Sequence, residues 1–147
     1  MAEHNIVGQI GEQAACKIMR KKGFRIIQTN WHFGHLEMDI IATNRKVIAF
    51  VEVKTRTSTF GEKRPEEYVD ELKRRRMAAA ANAYIKTNQI ELKPRFDIIG
   101  LLINPETHEI VEQTHLEDAF LPPQRTIGTT SYSGQRRWHH RTRTIGK

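Results

Sequence analysis

Asp39 lies within LEMDIIAT (36–43), and Glu52 and Lys54 lie within KVIAFVEVKTR (46–56). Both segments are rich in β-branched residues and read as strands. Asn44 and Arg45 between them read as a hairpin turn. Side chains alternate along a strand, so Glu37 and Asp39 share one face, and Glu52 and Lys54 share one face. Folding the hairpin brings Asp39 close to Glu52. Carboxylates in the middle of apolar strands are costly unless they are paired or bind a metal. Two adjacent carboxylates repel, and a divalent cation relieves them. Oxygen-only ligands suit Mg²⁺, which one or two carboxylates commonly hold together with water and substrate phosphate; Mn²⁺ would serve the same ligands. An amine beside the pair can stabilise charge developing on a phosphate or orient an attacking water. The chemistry of this constellation is metal-dependent phosphodiester hydrolysis. The same residues have a structural reading, with Glu52 and Lys54 as an ion pair on a solvated edge strand and Asp39 at the surface. Spacing alone leaves both readings open.

These residues need a scaffold. Residues 5–22 read as a helix with an apolar stripe of Ile6, Ile10, Ala14 and Ile18. Asn5 is a candidate N-cap and Gly23 a candidate stop. A second face carries Gly8, Glu12, Ala15 and Met19, small residues beside an acid. Gly8 and Gly11 each weaken a helix by about 1 kcal/mol relative to alanine, which points to a packing or site role. FRIIQTNW (24–31) reads as the first strand, and residues 57–64 as a loop. Pro65 is expected to open a second helix. Its early acids, Glu66, Glu67, Asp70 and Glu71, and later bases, Lys73 to Arg76, complement the helix dipole. AAAANAY (78–84) suits packing on a sheet. Residues 94–104 read as a strand and 108–116 as an edge strand. The order α-β-β-β-α-β-β predicts an α/β fold. A mixed sheet of about five strands would start as an antiparallel meander, cross over in parallel after the second helix, and carry helices on its faces.

A chain of 147 residues is one domain by size. Its charge of +7 is unevenly placed. Residues 1–121 carry a net +1, whereas residues 122–147 contain six basic side chains and no acid. The domain is therefore placed at 1–121. The stretch after Pro122 and Pro123 is expected to be a disordered tail, without apolar periodicity. Basic tails are common in nucleic-acid-binding proteins, although a solvated end is the plainer meaning. Arg136 and Arg137 adjoin Trp138, a mixture of cations and an aromatic that suits nucleic-acid stacking. In the body, Arg56 could touch a phosphate or simply end its strand. Lys73 and Arg74 could line a DNA-facing groove or a solvated helix face. Asp97 is expected to be a structural partner for a cation or backbone group, and Trp31 a core or rim aromatic. No histidine pair has zinc-type spacing with cysteine. No apolar run reaches the roughly 18 residues of a membrane span. The N-terminal stretch lacks the pattern of a secretory signal, and Cys16 is alone, so a reducing cytoplasm is the expected location.

Five blocks occur in order: GEQAA (11–15), NW (30–31), LEMDIIA (36–42), FVEVKTR (50–56) and RFDII (95–99). Together they resemble the YraN-like family of small bacterial proteins. That family is similar to the restriction-endonuclease-like, PD-(D/E)XK superfamily and related in fold to archaeal Holliday-junction resolvases. The resemblance covers residues 5 to about 121. It implies that Asp39 is the first metal-binding acid, and that Glu52 and Lys54 form the (D/E)XK part. It further implies that Glu12 is the helix-borne acid of resolvase-like members, and that Glu37 is the glutamate of a GEIDLI-like block. Here that block reads HLEMDII, with Leu36 where glycine is usual and Gly34 two residues earlier.

The expected function is a metal-dependent endonuclease acting on DNA rather than RNA, at branched or single-stranded structures in recombination or repair. Asp39, Glu52 and Glu37 would serve the metal, and Asp39, Glu52, Lys54 and Glu12 the catalysis. The alternative is a nucleic-acid-binding accessory protein of the same fold that does not cut. A protein-interaction role centred on the tail is a third reading. A homodimer is compatible with an exposed edge near residues 108–116.

Overall fold

The computed structural model describes residues 3–57, 67 and 69–121. Its elements are α1 (Glu3–Lys21), β1 (Arg25–Phe33), β2 (Leu36–Thr43), β3 (Val47–Arg56), α2 (Glu71–Asn88), β4 (Lys93–Ile103) and β5 (Ile110–Leu116). The fold is α/β, with one five-stranded mixed sheet in the order β1-β2-β3-β4-β5. The first three strands pair antiparallel, β3 and β4 pair parallel across α2, and β5 returns antiparallel as an edge. Each sheet face has its own core. On one, Ile40, Ala42, Ala49 and Val51 pack against Ala15 and Met19 of α1. On the other, Ile41, Ile48 and Phe50 pack against Met77, Ala80 and Tyr84 of α2. Among the described residues no helix is long and apolar enough to cross a membrane.

The β2–β3 turn is closed by the Asn44 side chain. Its Oδ1 accepts from the Lys46 and Val47 amides, both at 2.8 Å, and this local acceptor sets the hairpin register. That register places Ile41 opposite Phe50 and Ile40 opposite Val51. The β1–β2 turn uses Gly34 at φ 64°, so the glycine that turns this block is Gly34, and Leu36 already pairs with Phe33.

The most buried face of α1 is offset from the isoleucine stripe, of which Ala14 and Ile18 pack at the margin of the core. Val7, Ala15, Cys16 and Met19 are buried, while Ile6 is exposed. The reason is close approach. A side chain placed on Gly11 would overlap Cγ2 of Thr55 and touch Leu101. Lacking a side chain, Gly11 lets the helix settle on β3 and β4, which leaves Ile6 exposed and Ala14 and Ile18 half-buried against the margin of the core. Gly11→Ala should therefore lower stability by about 1–3 kcal/mol, although alanine favours a helix by about 1 kcal/mol. Thr55→Ser, which removes the obstructing methyl, should recover most of that loss in urea denaturation. Equal losses in single and double variants would exclude the overlap as the cause.

Helix ends also differ in part from expectation. Asn5 lies inside α1, whose first residue is Glu3. Gly23 does end α1, at φ 94°. The Phe24 amide donates to the Met19 carbonyl and the Gly23 amide to that of Arg20, a Schellman stop. Helix α2 begins at Glu71, not at Pro65. Asp70 is its N-cap, accepting from the Lys73 amide at 2.9 Å, which satisfies a donor that no preceding turn could satisfy. Pro65, most of the expected 57–64 loop, and the tail from 122, including Arg136 and Arg137, lie outside the described residues.

Candidate active site

Among the described residues the buried charged side chains are Glu52 and Asp97, and their surroundings differ. Asp97 is fully enclosed and fully served. It accepts from Arg95 Nε and Nη2 at 2.9 and 2.8 Å, from the Asp118 amide at 3.1 Å and from His115 Nε2 at 2.9 Å. Burial alone would push its carboxyl up, but these donors bring it below the usual carboxylate range. A carboxylate can only accept, so His115 carries its hydrogen on Nε2, and Nδ1 accepts from Lys22 at 2.8 Å. Asp97 is thus a structural partner.

Glu52 is different. It is 7% exposed and its pKa is pushed up to about 7. Burial is the main cause and the Asp39 charge the next; Lys73 and Lys54 oppose them. Lys73 Nζ lies 3.5 Å from Glu52 Oε2. A buried carboxylate under repulsion from a second one is unusual in a structural role, and such perturbed groups gather at functional sites.

The β2–β3 pairing explains how the two acids meet. Its last pair is Ile40 with Val51. Beyond it, the Val53 amide donates to Oδ2 of Asp39 at 2.8 Å instead of to a main-chain carbonyl. The alternation of β2 also breaks there, since Met38 belongs to the α2-side core and Ile40 to the α1-side core. Asp39 therefore occupies the gap between parting strands. It feels Glu12 from the α1 side and Lys73 from the α2 side, and burial, its largest influence, raises its pKa. On β3, Glu52 and Lys54 continue the face of Ile48 and Phe50, toward α2.

On the α1 side the gap opens into a cleft of about 420 Å³, lined by Gly8, Glu12, Asn30, Asp39, Val53 and Thr55. Asn30 sits at φ 50° and its amide donates to Glu12 Oε1 at 3.0 Å. A side chain at Gly8 would meet nothing within 4 Å, so this glycine borders open cleft rather than a packing contact. A larger hollow, about 670 Å³, lies at the turn end of β2 and β3, with Arg25, Arg45 and Lys46 in its lining. Among the described residues its walls carry cations and no carboxylate, so it can contact anions but offers no acid chemistry.

The remaining sequence-selected residues fall around this centre. Glu37 is exposed and pairs with His32 at 3.2 Å; its charge reaches Asp39 only as the weakest of the named influences. Arg56 donates to the Thr55 carbonyl at 3.0 Å. Arg74 lies over the Phe120 ring at 5.3 Å. Lys73 turns inward to Glu52. Two contacts are not legible in the residue pattern, that of Lys73 with Glu52 and that of Asn30 with Glu12. Lys73 is expected in a DNA-facing groove or on a solvated face and instead turns to Glu52, and Asn30, inside a strand, takes a left-handed conformation that no local pattern signals.

Among the described residues no group of three or more His, Cys, Asp or Glu side chains stands close enough to hold a metal ion. Asp39 and Glu52 alone fit a hard cation by donor type, because they bring oxygens and mutually repelling charge. That fit is to an ion completed by water and phosphate oxygens, the habit of Mg²⁺.

Residues 11–101 match the uncharacterised protein family UPF0102. The chain belongs to that family. Among similar UPF0102 proteins, that of Parabacteroides distasonis is 44% identical over 125 residues, covering 85% of this chain and all of the relative. The protein of Bacteroides thetaiotaomicron is 42% identical over 84% of this chain and 98% of its own. That of Flavobacterium psychrophilum is 40% identical over 82% and 98% respectively. The matched UPF0102 region spans Glu12, Asp39, Glu52, Lys54 and Lys73, so the whole centre lies within the part shared with the family.

Proposed function

We propose that this UPF0102 protein is a metal-dependent endonuclease that hydrolyses DNA phosphodiester bonds at branched or single-stranded structures. The observation that carries this reading is Glu52, a buried carboxylate set against Asp39 where β2 and β3 part, with two lysines beside it. Asp39 and Glu52 would hold Mg²⁺ or Mn²⁺. When bound, such an ion polarises a phosphate and makes water acidic enough to attack. The chain's own groups do the rest. Val53 N–H fixes the Asp39 carboxylate. Lys54, on the Glu52 face, offers positive charge where a phosphorane-like transition state gathers negative charge. Lys73 holds Glu52 in place. Glu12, fixed by Asn30, can accept a hydrogen bond from water entering through the α1-side cleft. Glu37 stands outside this set.

A second reading, DNA binding without cleavage, is favoured by the lack of a third ligand beside the two acids among the described residues. One experiment separates them. Branched, flapped and single-stranded DNAs are incubated with protein and Mg²⁺ or Mn²⁺. The enzyme reading expects cleavage that chelator stops and that Asp39→Asn and Lys54→Ala remove while circular dichroism is unchanged. Cleavage surviving both substitutions would refute the assignment. Salt-sensitive binding that persists in chelator, with no turnover under any condition, would select the accessory role.

A further inference from the structure

Phe33 closes β1 and is 52% exposed. A single exposed apolar side chain is ordinary, but three observations set this one apart. Its ring is held. It stacks on Trp31 with centroids 6.1 Å apart and planes 11° from parallel. Trp31 meets Tyr84 edge-on at 5.2 Å, and Tyr84 meets Phe50 at 6.2 Å. The exposed ring is the outer end of a column rooted in the core, so little freedom remains to be lost when something packs on it.

The second observation is the face. Tyr84 belongs to α2, so Trp31 and Phe50 both lie on the α2 side of the sheet. Glu52 follows Phe50 by two residues on that side, with Lys54 beyond it and Lys73 of α2 against it. Phe33 therefore flanks the face that carries Glu52 and both lysines. The third is distance. Phe33 pairs with Leu36, three residues before Asp39 on β2, which is about 10 Å at ~3.3 Å per residue. A DNA strand covers that length in at most about three nucleotides, at ~3.4 Å each when stacked as in a duplex, and in fewer when extended.

We propose that Phe33 is a stacking platform for an unpaired base of the strand whose phosphate enters the Asp39, Glu52 and Lys54 site. The inference rests on the nucleic-acid reading above and narrows its substrate. A base inside a continuous duplex has both π-faces covered by its neighbours, whereas a single-stranded, frayed or splayed base has one to offer. The preferred substrate is DNA with unpaired nucleotides a few positions from the phosphate that is cut.

Binding in chelator tests this without needing catalysis. A single-stranded oligonucleotide containing 2-aminopurine and a continuous duplex are titrated with the wild-type protein, Phe33→Ala, Phe33→Leu and Phe33→Trp. The expected result is a loss of single-strand affinity of roughly ten-fold for the alanine and leucine variants. Duplex affinity should be unchanged, and the tryptophan variant should bind as wild type. Quenching of 2-aminopurine should accompany wild type and Phe33→Trp only. Leucine keeps apolar bulk without a π-face, so it separates stacking from general contact. Unchanged single-strand affinity in Phe33→Ala, or an equal loss on duplex, overturns the proposal while leaving the nuclease reading intact if wild type cleaves. Absence of both binding and cleavage by wild type overturns both.

Discussion

Asp97→Asn is expected to lower folding stability by about 3–5 kcal/mol, the usual consequence of removing one member of a buried ion pair. Asparagine keeps the shape but withdraws the charge that Arg95 and His115 share. Its amide would also turn a donor toward one of the donors that Asp97 now accepts from: Arg95 at 2.8 and 2.9 Å, His115 at 2.9 Å, or the Asp118 amide at 3.1 Å. The damage should spread to the segment after β5, since the Asp118 and Ala119 amides tie it to Asp97 and Phe96. Acid should imitate the substitution. The folded pKa of Asp97 lies below its unfolded value of 3.8, so its contribution is complete above that value and disappears as pH falls through the folded pKa. Urea denaturation at pH 7 and at pH 3 should show a large gap between wild type and variant at the first and a narrower one at the second, because the contribution begins to decline below 3.8. A variant as stable as wild type at pH 7 would show that the network contributes little.

Glu52→Gln should do the opposite above neutrality. The carboxyl has a folded pKa of about 7 against an unfolded value of 4.5. A group raised on folding contributes fully below its unfolded pKa, and that contribution is lost as pH rises through the folded one. Wild type should therefore lose about 3 kcal/mol between pH 4.5 and pH 8 through this residue alone. Glutamine cannot ionise, so the variant should lack this loss and be more stable than wild type at pH 8. Lys73 loses its partner but is 31% exposed, so water can solvate it. Addition of Mg²⁺ at pH 8 should stabilise wild type and not the variant, because mass action favours whatever the folded state binds. Parallel pH profiles for the two proteins would remove the argument that Glu52 is held ionised against its surroundings.

Much of the scaffold was legible in the residues. VIAFVEV and IIAT announced strands through β-branched content, and Asn44 announced the turn, because these signals act over a few residues. Glu52 and Lys54 could be placed on one face by alternation alone. Asp39 could not, because alternation fails at that residue, where Met38 and Ile40 enter opposite cores. The packing face of α1 is obscured for a related reason. Isoleucines at helical spacing are conspicuous, whereas Gly11 marks the contact through what it lacks. The pairing of Lys73 with Glu52 crosses the residues between β3 and α2, and no local pattern encodes it. Pro65 suggests a start for α2 because proline fixes φ. The decisive residue was Asp70, whose side chain reaches the third amide ahead.

Asp39 stands in for a main-chain acceptor, and this sets what can replace it. Its Oδ2 takes the Val53 N–H that a longer ladder would have used, so the carboxylate works as a wedge as well as a ligand candidate. Asparagine retains a carbonyl oxygen in the same position and keeps the wedge while discarding the charge. Shortening the side chain would orphan that amide and invite β2 to zip further along β3, closing the cleft that Asp39 lines beside Glu12. Geometry and electrostatics at this position are thus separable only by an isosteric change.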